Sequence, residues 1–207
     1  PDEPLNPRIS NPMLQGRWDY CNKLVYQGKL KPCRGSIRHD DKNTLKSEFP
    51  AMGHFPIEVE SSEKRGSSRF NKEEAQQIIQ WIATHADKIQ STYPKEGGIE
   101  NLIGVITPFK AQAAVIKKAL PKHLKKIRVG TIHTFQGAEC RIIIISTVYG
   151  GEDGCFFIEN NKSLMNVAVS RAKDFFFVFG NRKCLLHTES STTGLLRQMT
   201  EESIAGK

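Results

Sequence analysis

The stretch VGTIHTFQGAECRIIIIS (129–146) holds two short apolar runs with a compact polar loop between them. The first run spans 127–132 and the second 141–147, and each has the length and β-branched content of a strand. Four consecutive isoleucines do not suit a strand with one wet face; they suit a parallel sheet covered on both sides. The loop is dense in functional groups, which a plain connection would not need. Gly137 permits close approach of backbone to a ligand, and Gln136 with Glu139 offers a polar pair for hydroxyl or water contacts. His133 alone reads first as a hydrogen-bonded structural histidine and second as a base.

Outward from this stretch the same alternation continues. LIGVIT (102–107) is a buried-type strand, and KAQAAVIKKAL (110–120) is a helix stopped by Pro121. SLMNVAVSRAK (163–173) reads as a helix, FFFVFG (175–180) as a strand and GLLRQMTEE as a last helix. Upstream, FPIEV (55–59) has strand character and is followed by a polar loop. A helix is expected from Asn71 to Ile89, with Ala75, Ile78, Ile79, Ile82, Ala86 and Ile89 on its apolar face and Asn71 and Glu74 forming a cap. Short apolar strands alternating with helices make an α/β fold, a parallel sheet with helices on both faces. Residues 1–54 carry six of the ten prolines and read as an arm packing on the domain of 55–207, with one short helix near Trp18–Val25.

Ligands of open parallel sheets bind at the carboxyl ends of strands. That rule points to Thr107–Phe109, to His133–Glu139 and to the helix at 166–173. In ITPFKAQ (106–112) a hydroxyl, exposed amides and a ring at a strand end suit phosphate contact and base stacking; the bland alternative is an ordinary turn with Phe109 in the core. Arg171 and Lys173 stand at the end of a buried helix. They read either as helix-end cations or as cations aimed at a phosphoryl group bound by a neighbouring domain.

The 207 residues are 38% apolar and 8% aromatic, enough for a core, and the net charge of +8 favours a polyanionic partner. Five cysteines, an odd number without a C-x-x-C pair, fit reduced thiols better than a zinc site or a disulfide framework. Cys33 and His39 lack further ligands nearby, so no metal site is expected in this chain. No signal-peptide layout and no long apolar run occur, so the expectation is an intracellular, cytoplasmic protein without membrane contact. A G-x-x-x-x-G-K-[ST] phosphate loop is absent, HDD (39–41) follows no apolar strand, and no G-x-S-x-G or H-E-x-x-H occurs. No complete catalytic site is visible.

ITPFKAQ, VGTIHTFQGAE and LMNVAVSRAK come in an order that resembles motifs IV, V and VI of superfamily I helicases. The similarity is to the branch that includes the nonsense-mediated-decay helicases and many bacterial relatives. SSRFNKEEAQQI (67–78) resembles that branch's N-x-x-E-A segment, and YCNKLVYQGKLKP (20–32) its F-x-x-x-x-F-Y-x-G-x-L stretch. The resemblance covers about residues 20–200 and implies a RecA-like fold, the second motor domain of an ATP-dependent DNA or RNA helicase. It implies ATP and Mg2+ bound mainly by a first RecA-like domain of the same polypeptide, and a single-stranded nucleic acid across both. On the matching positions, Arg171 is the motif VI arginine finger, and Gln136, Gly137, Glu139 and Lys173 face the nucleotide. Thr107, Pro108, Phe109, Gln112, Thr131 and His133 face the strand. His133 departs from the aspartate usual there. NPRISNP (6–12) is a degraded match to a Y-R-x-H-P motif, with Arg8 in the place of a second arginine finger. Two rival readings stay open: a non-catalytic nucleic-acid-binding RecA-like domain, and an ATPase subunit completing another chain's site.

Overall fold

The computed structural model describes residues 12–29 and 43–205; Arg8, Cys33 and His39 lie outside them. In chain order the elements are α1 (Pro12–Tyr26), β1 (Met52–Pro56), β2 (Glu63–Arg65), β3 (Ser68–Phe70), α2 (Lys72–Thr92) and α3 (Ile99–Leu102). Then come β4 (Ile103–Ile106), α4 (Lys110–Ala119), β5 (Arg128–Gly130), β6 (Cys140–Ser146), α5 (Phe156–Glu159), α6 (Lys162–Ser170), β7 (Ala172–Gly180) and α7 (Thr192–Ala205). Five strands form one parallel sheet in the order β1-β7-β6-β4-β5, and β2 and β3 form a separate hairpin.

The period of two along each strand divides the core. Phe175, Phe177, Phe179, Ile142, Ile144, Ile103 and Val105 face α2 and α4. Phe176, Val178, Ile143, Ile145 and Ile106 face the side where Tyr20, Met165, Val169 and Leu196 pack from α1, α6 and α7. A strand buried on both faces has no polar position to alternate with, which is why β6 and β7 read as unbroken apolar runs. Each side chain so buried contributes about 1.5–3 kcal/mol.

Four local expectations change. β1 runs over 52–56 instead of 55–59, so it straddles the expected boundary of the arm. The segment expected as a polar loop closes as the β2–β3 hairpin, with Gly66 at φ 60 in its turn. The cap of α2 is half a capping box: Asn71 Oδ1 accepts from the Glu74 amide at 3.0 Å, but the Glu74 side chain turns inward. The Asn71 amide donates to Gln112 Oε1 instead, at 2.8 Å. Finally, α6 ends at Ser170, so Lys173 belongs to a strand and not to the helix. The Cys140 amide donates to the Arg171 carbonyl at 3.0 Å, and that bond draws the chain into the sheet one turn earlier than apolar periodicity suggests.

Candidate functional site

The sequence-selected residues gather at two opposite ends of the sheet. At the carboxyl end, the Thr107 amide donates to the Gly130 carbonyl at 3.0 Å, which ties the exits of β4 and β5 together. Thr107 is fully buried, and its hydroxyl accepts from the Phe109 amide at 3.4 Å. Pro108, Phe109 and Thr131 are half-buried, and His133 is exposed. The His133 ring has no hydrogen-bond partner among the described residues.

Gln112 does not reach this surface, contrary to its expected role on the strand. It is fully buried, its Nε2 donates to Asn71 O (3.1 Å) and Ser146 Oγ (3.0 Å), and its Oε1 accepts from Asn71 N. A carboxamide satisfied at both ends inside the core has nothing left to offer a ligand. Its network continues to Glu74, which accepts from Ser146 Oγ and from the Val148 amide at 3.0 and 3.1 Å. Val148 sits at φ 75, a conformation costly for a β-branched residue, and the buried carboxyl holds it there. Burial pushes the Glu74 carboxyl up to about 8, against the bonds from Ser146 and Val148, which lower it.

The sequence reading missed an aromatic patch at this same end. Phe109 meets Tyr149 edge-on at 5.5 Å between centroids and Phe157 at 5.7 Å. Phe157 is 41% exposed and Phe156 is 71% exposed, unusual for adjacent phenylalanines. The Tyr149 hydroxyl accepts from the Phe157 amide at 3.2 Å, and Arg69 lies over the Tyr149 ring at 5.5 Å. Arg69 is fixed by Asp153 at 2.8 Å. The doublet in GCFFIEN was the signal available: two rings in a short segment between strands.

At the amino end, Glu139 and Arg171 are brought side by side. Cys140 pairs in register with Ala172, so the residues preceding them begin neighbouring strands. Glu139, Gln136 and Gly137 are exposed on the loop that runs back across the sheet, anchored by buried Phe135. Gly137 has φ 74 with open space where a Cβ would go, so the turn demands the glycine and no crowding does. Arg171 caps α6, its amide donating to Val167 O at 3.1 Å and Ala168 O at 3.2 Å. Its guanidinium has one weak contact, Nη2 to Ser170 Oγ at 3.3 Å; Nε is buried without a partner, and no carboxylate pairs with it among the described residues. Arg141 nearby is different, tied to Asp174 at 3.1 Å and also to Glu96. Burial raises the Cys140 thiol above its ordinary range, with Arg128 and Lys173 opposing that shift, so both cations lie close to it. The amino end thus carries Arg171, which no carboxylate among the described residues pairs, beside the exposed Glu139, an arrangement suited to a polyphosphate.

The sequence matches the AAA domain family (AAA_12) over residues 13–183. It is 35% identical over 178 residues to the RNA helicase Mov10l1 of Homo sapiens, covering 80% of this chain and 14% of that protein. It is 29% identical over 178 residues to the ATP-dependent helicase upf1 of Schizosaccharomyces pombe, covering 81% of this chain and 18% of that protein. The chain therefore spans less than a fifth of either relative's length. A solved C-terminal domain of a possible DNA helicase from Lactobacillus plantarum overlaps 84% of this chain and 88% of its own, with a TM-score of 0.45 at 11% identity.

Proposed function

The chain belongs to the AAA domain family, and from that membership we propose that it is the second motor domain of an ATP-dependent superfamily I helicase or translocase. The observation that carries this reading is Arg171. Its backbone is fixed where α6 meets β7, its guanidinium is half-buried, and no carboxylate among the described residues neutralises it. An arginine so mounted fits a γ-phosphate held by another domain, where a planar cation stabilises charge developing in phosphoryl transfer. Glu139 and Gln136 take the nucleotide's hydroxyls, Lys173 adds charge, and Gly137 shapes the loop between them. ATP supplies the phosphoanhydride that is broken, and Mg2+ and the triphosphate cradle belong to the first domain.

The opposite end takes a single strand. Pro108, Thr131 and His133 line the backbone's path, and Phe109, Phe157 and Phe156 provide faces for bases. Thr107 and Gln112 support that surface from inside. The separation of nucleotide and strand to two ends of one rigid sheet lets closure around ATP be felt by the strand.

Purified chain should bind a labelled single-stranded oligonucleotide weakly, with affinity falling steeply as salt rises, and should hydrolyse no ATP above background. Turnover stimulated by nucleic acid in this chain alone would refute the half-motor reading. Salt-independent binding, or none at low salt, would refute the strand surface.

A further inference from the structure

The 38 residues 101–138 contain seven lysines and arginines and no aspartate or glutamate. Of these, Lys117, Lys118, Lys122, Lys125, Lys126 and Arg128 fall on the end of α4, the turn after it, and the start of β5. Strands β4 and β5 are parallel and adjacent, so α4 must run back down the sheet. The cluster therefore sits at the amino end of β5, which is an edge strand. The strand surface at Thr131 and Phe109 lies at the opposite end. Lys125 Nζ donates to the carbonyls of Lys117 (2.6 Å) and Lys118 (3.0 Å), which draws the turn against the helix end and gathers these cations on one flank. All five lysines are exposed.

Four surface cations elsewhere are matched with acids: Arg69 with Asp153, Lys72 with Glu63, Lys88 with Glu48, Lys183 with Glu58. None of the flank lysines forms an ion pair among the described residues. Crowded like charges repel one another, and apart from Lys125, which holds the turn, the lysines make no hydrogen bond or ion pair among the described residues that would stabilise the fold. No Phe, Tyr or Trp occurs from Lys110 to Arg128, so the flank lacks the stacking faces that single-strand sites use. Cations without rings suit a partner whose bases are stacked away and whose phosphates are exposed.

We propose that the α4–β5 flank is a second nucleic-acid surface, separate from the strand track, that holds the phosphate backbone of a double-stranded segment. The contact is independent of sequence, because lysines on phosphates carry no base information. It adds to the helicase reading without needing it, since duplex binding by the flank requires neither ATP nor Arg171.

The test uses the chain with Lys117, Lys118, Lys122 and Lys126 changed to Gln, leaving Lys125 to hold the turn, beside a second variant, His133→Ala with Phe157→Ala. A blunt duplex and a single strand of equal length are titrated at several salt concentrations, and melting curves check folding. The lysine variant should bind duplex at least tenfold more weakly, with the slope of log K on log salt reduced by about 3, while single-strand affinity changes much less. The His133/Phe157 variant should do the reverse. Should the lysine variant melt early, Lys122→Gln with Lys126→Gln, both beyond the helix end, carries the same comparison. Equal losses for duplex and single strand would overturn a separate surface. Unchanged duplex binding, or acidic polypeptide binding the flank where duplex does not, would overturn the nucleic-acid assignment.

Discussion

Two buried ionisable groups should give the folding stability of this chain an unusual dependence on pH. Glu74 is fully enclosed, and burial raises its carboxyl from 4.5 to about 8. The unfolded chain loses that proton near 4.5 and the folded chain keeps it to about 8, so stability is full below 4.5 and falls as pH rises between the two. His54 works in the opposite direction. Its Nε2 shares a hydrogen bond with the Gly180 carbonyl at 3.0 Å and its Nδ1 is buried without a partner. Burial, with Arg182 and Arg197 nearby, lowers it from 6.5 to about 4, although the bond to Gly180 opposes this. Its contribution is full above 6.5 and is lost as pH falls towards 4. From 4.5 to 6.5 the two terms nearly cancel, and from 6.5 to 8 only Glu74 acts. At about 1.4 kcal/mol per unit, stability should fall by about 2 kcal/mol across that upper window. Glu96 and Asp153, whose carboxyls are lowered, act only below it. Urea unfolding at pH 5.5, 6.5 and 8 measures the profile. Glu74→Gln should abolish the decline above 6.5 and expose the rise below it that His54 causes. Its cost at pH 5.5 is about 1 kcal/mol, because the carboxamide oxygen still accepts from Ser146 but the new NH2 group faces the Val148 amide, donor against donor. A wild-type decline that survives Glu74→Gln would refute the reasoning.

Other expectations are simpler. Phe157→Ala should weaken single-strand binding by about 1–3 kcal/mol, read by fluorescence anisotropy, while the melting temperature stays within a few degrees; unchanged affinity removes the ring from the strand path. Asn71→Ala removes both the cap of α2 and the bond from Nδ2 to Val148 O, so denaturant unfolding should show a loss of about 1–2 kcal/mol. A loss within error would mean that the cap is replaced by water.

The sheet was legible in the sequence because each strand is buried on two faces, leaving a run such as FFFVF with one reading. The loop holding His133, Gln136, Gly137 and Glu139 was legible as a compact exposed connection because polar side chains are dense there between two apolar runs. What stayed hidden is relational. Nothing local to Gln112 says that Asn71 and Ser146, far away in sequence, will consume both ends of its amide. The period of 162–170 runs smoothly into Arg171, and only pairing with Cys140 stops it. The rule that ligands meet the carboxyl ends of strands points to Thr107 and Thr131, whereas Arg171 and Glu139 emerge at the other end, Arg171 where α6 turns into β7 and Glu139 on the loop that runs back after β5. The aromatic patch required three separate segments to converge on Tyr149. For the strand reading, His133 matters through its exposure, which its neighbours in sequence do not specify.

The most direct test of the account is turnover in a polypeptide that joins this chain to its phosphate-loop domain. With a single-stranded oligonucleotide present, Arg171→Ala should cut the ATP hydrolysis rate by roughly a thousandfold or more, with a much smaller change in ATP affinity. Arg171→Lys should recover little, because a point charge does not reproduce the planar fork. If Arg171 served only as a helix cap, its loss would cost about 1 kcal/mol of stability or less and leave hydrolysis near normal. Unchanged turnover in the folded Arg171→Ala protein would contradict the account.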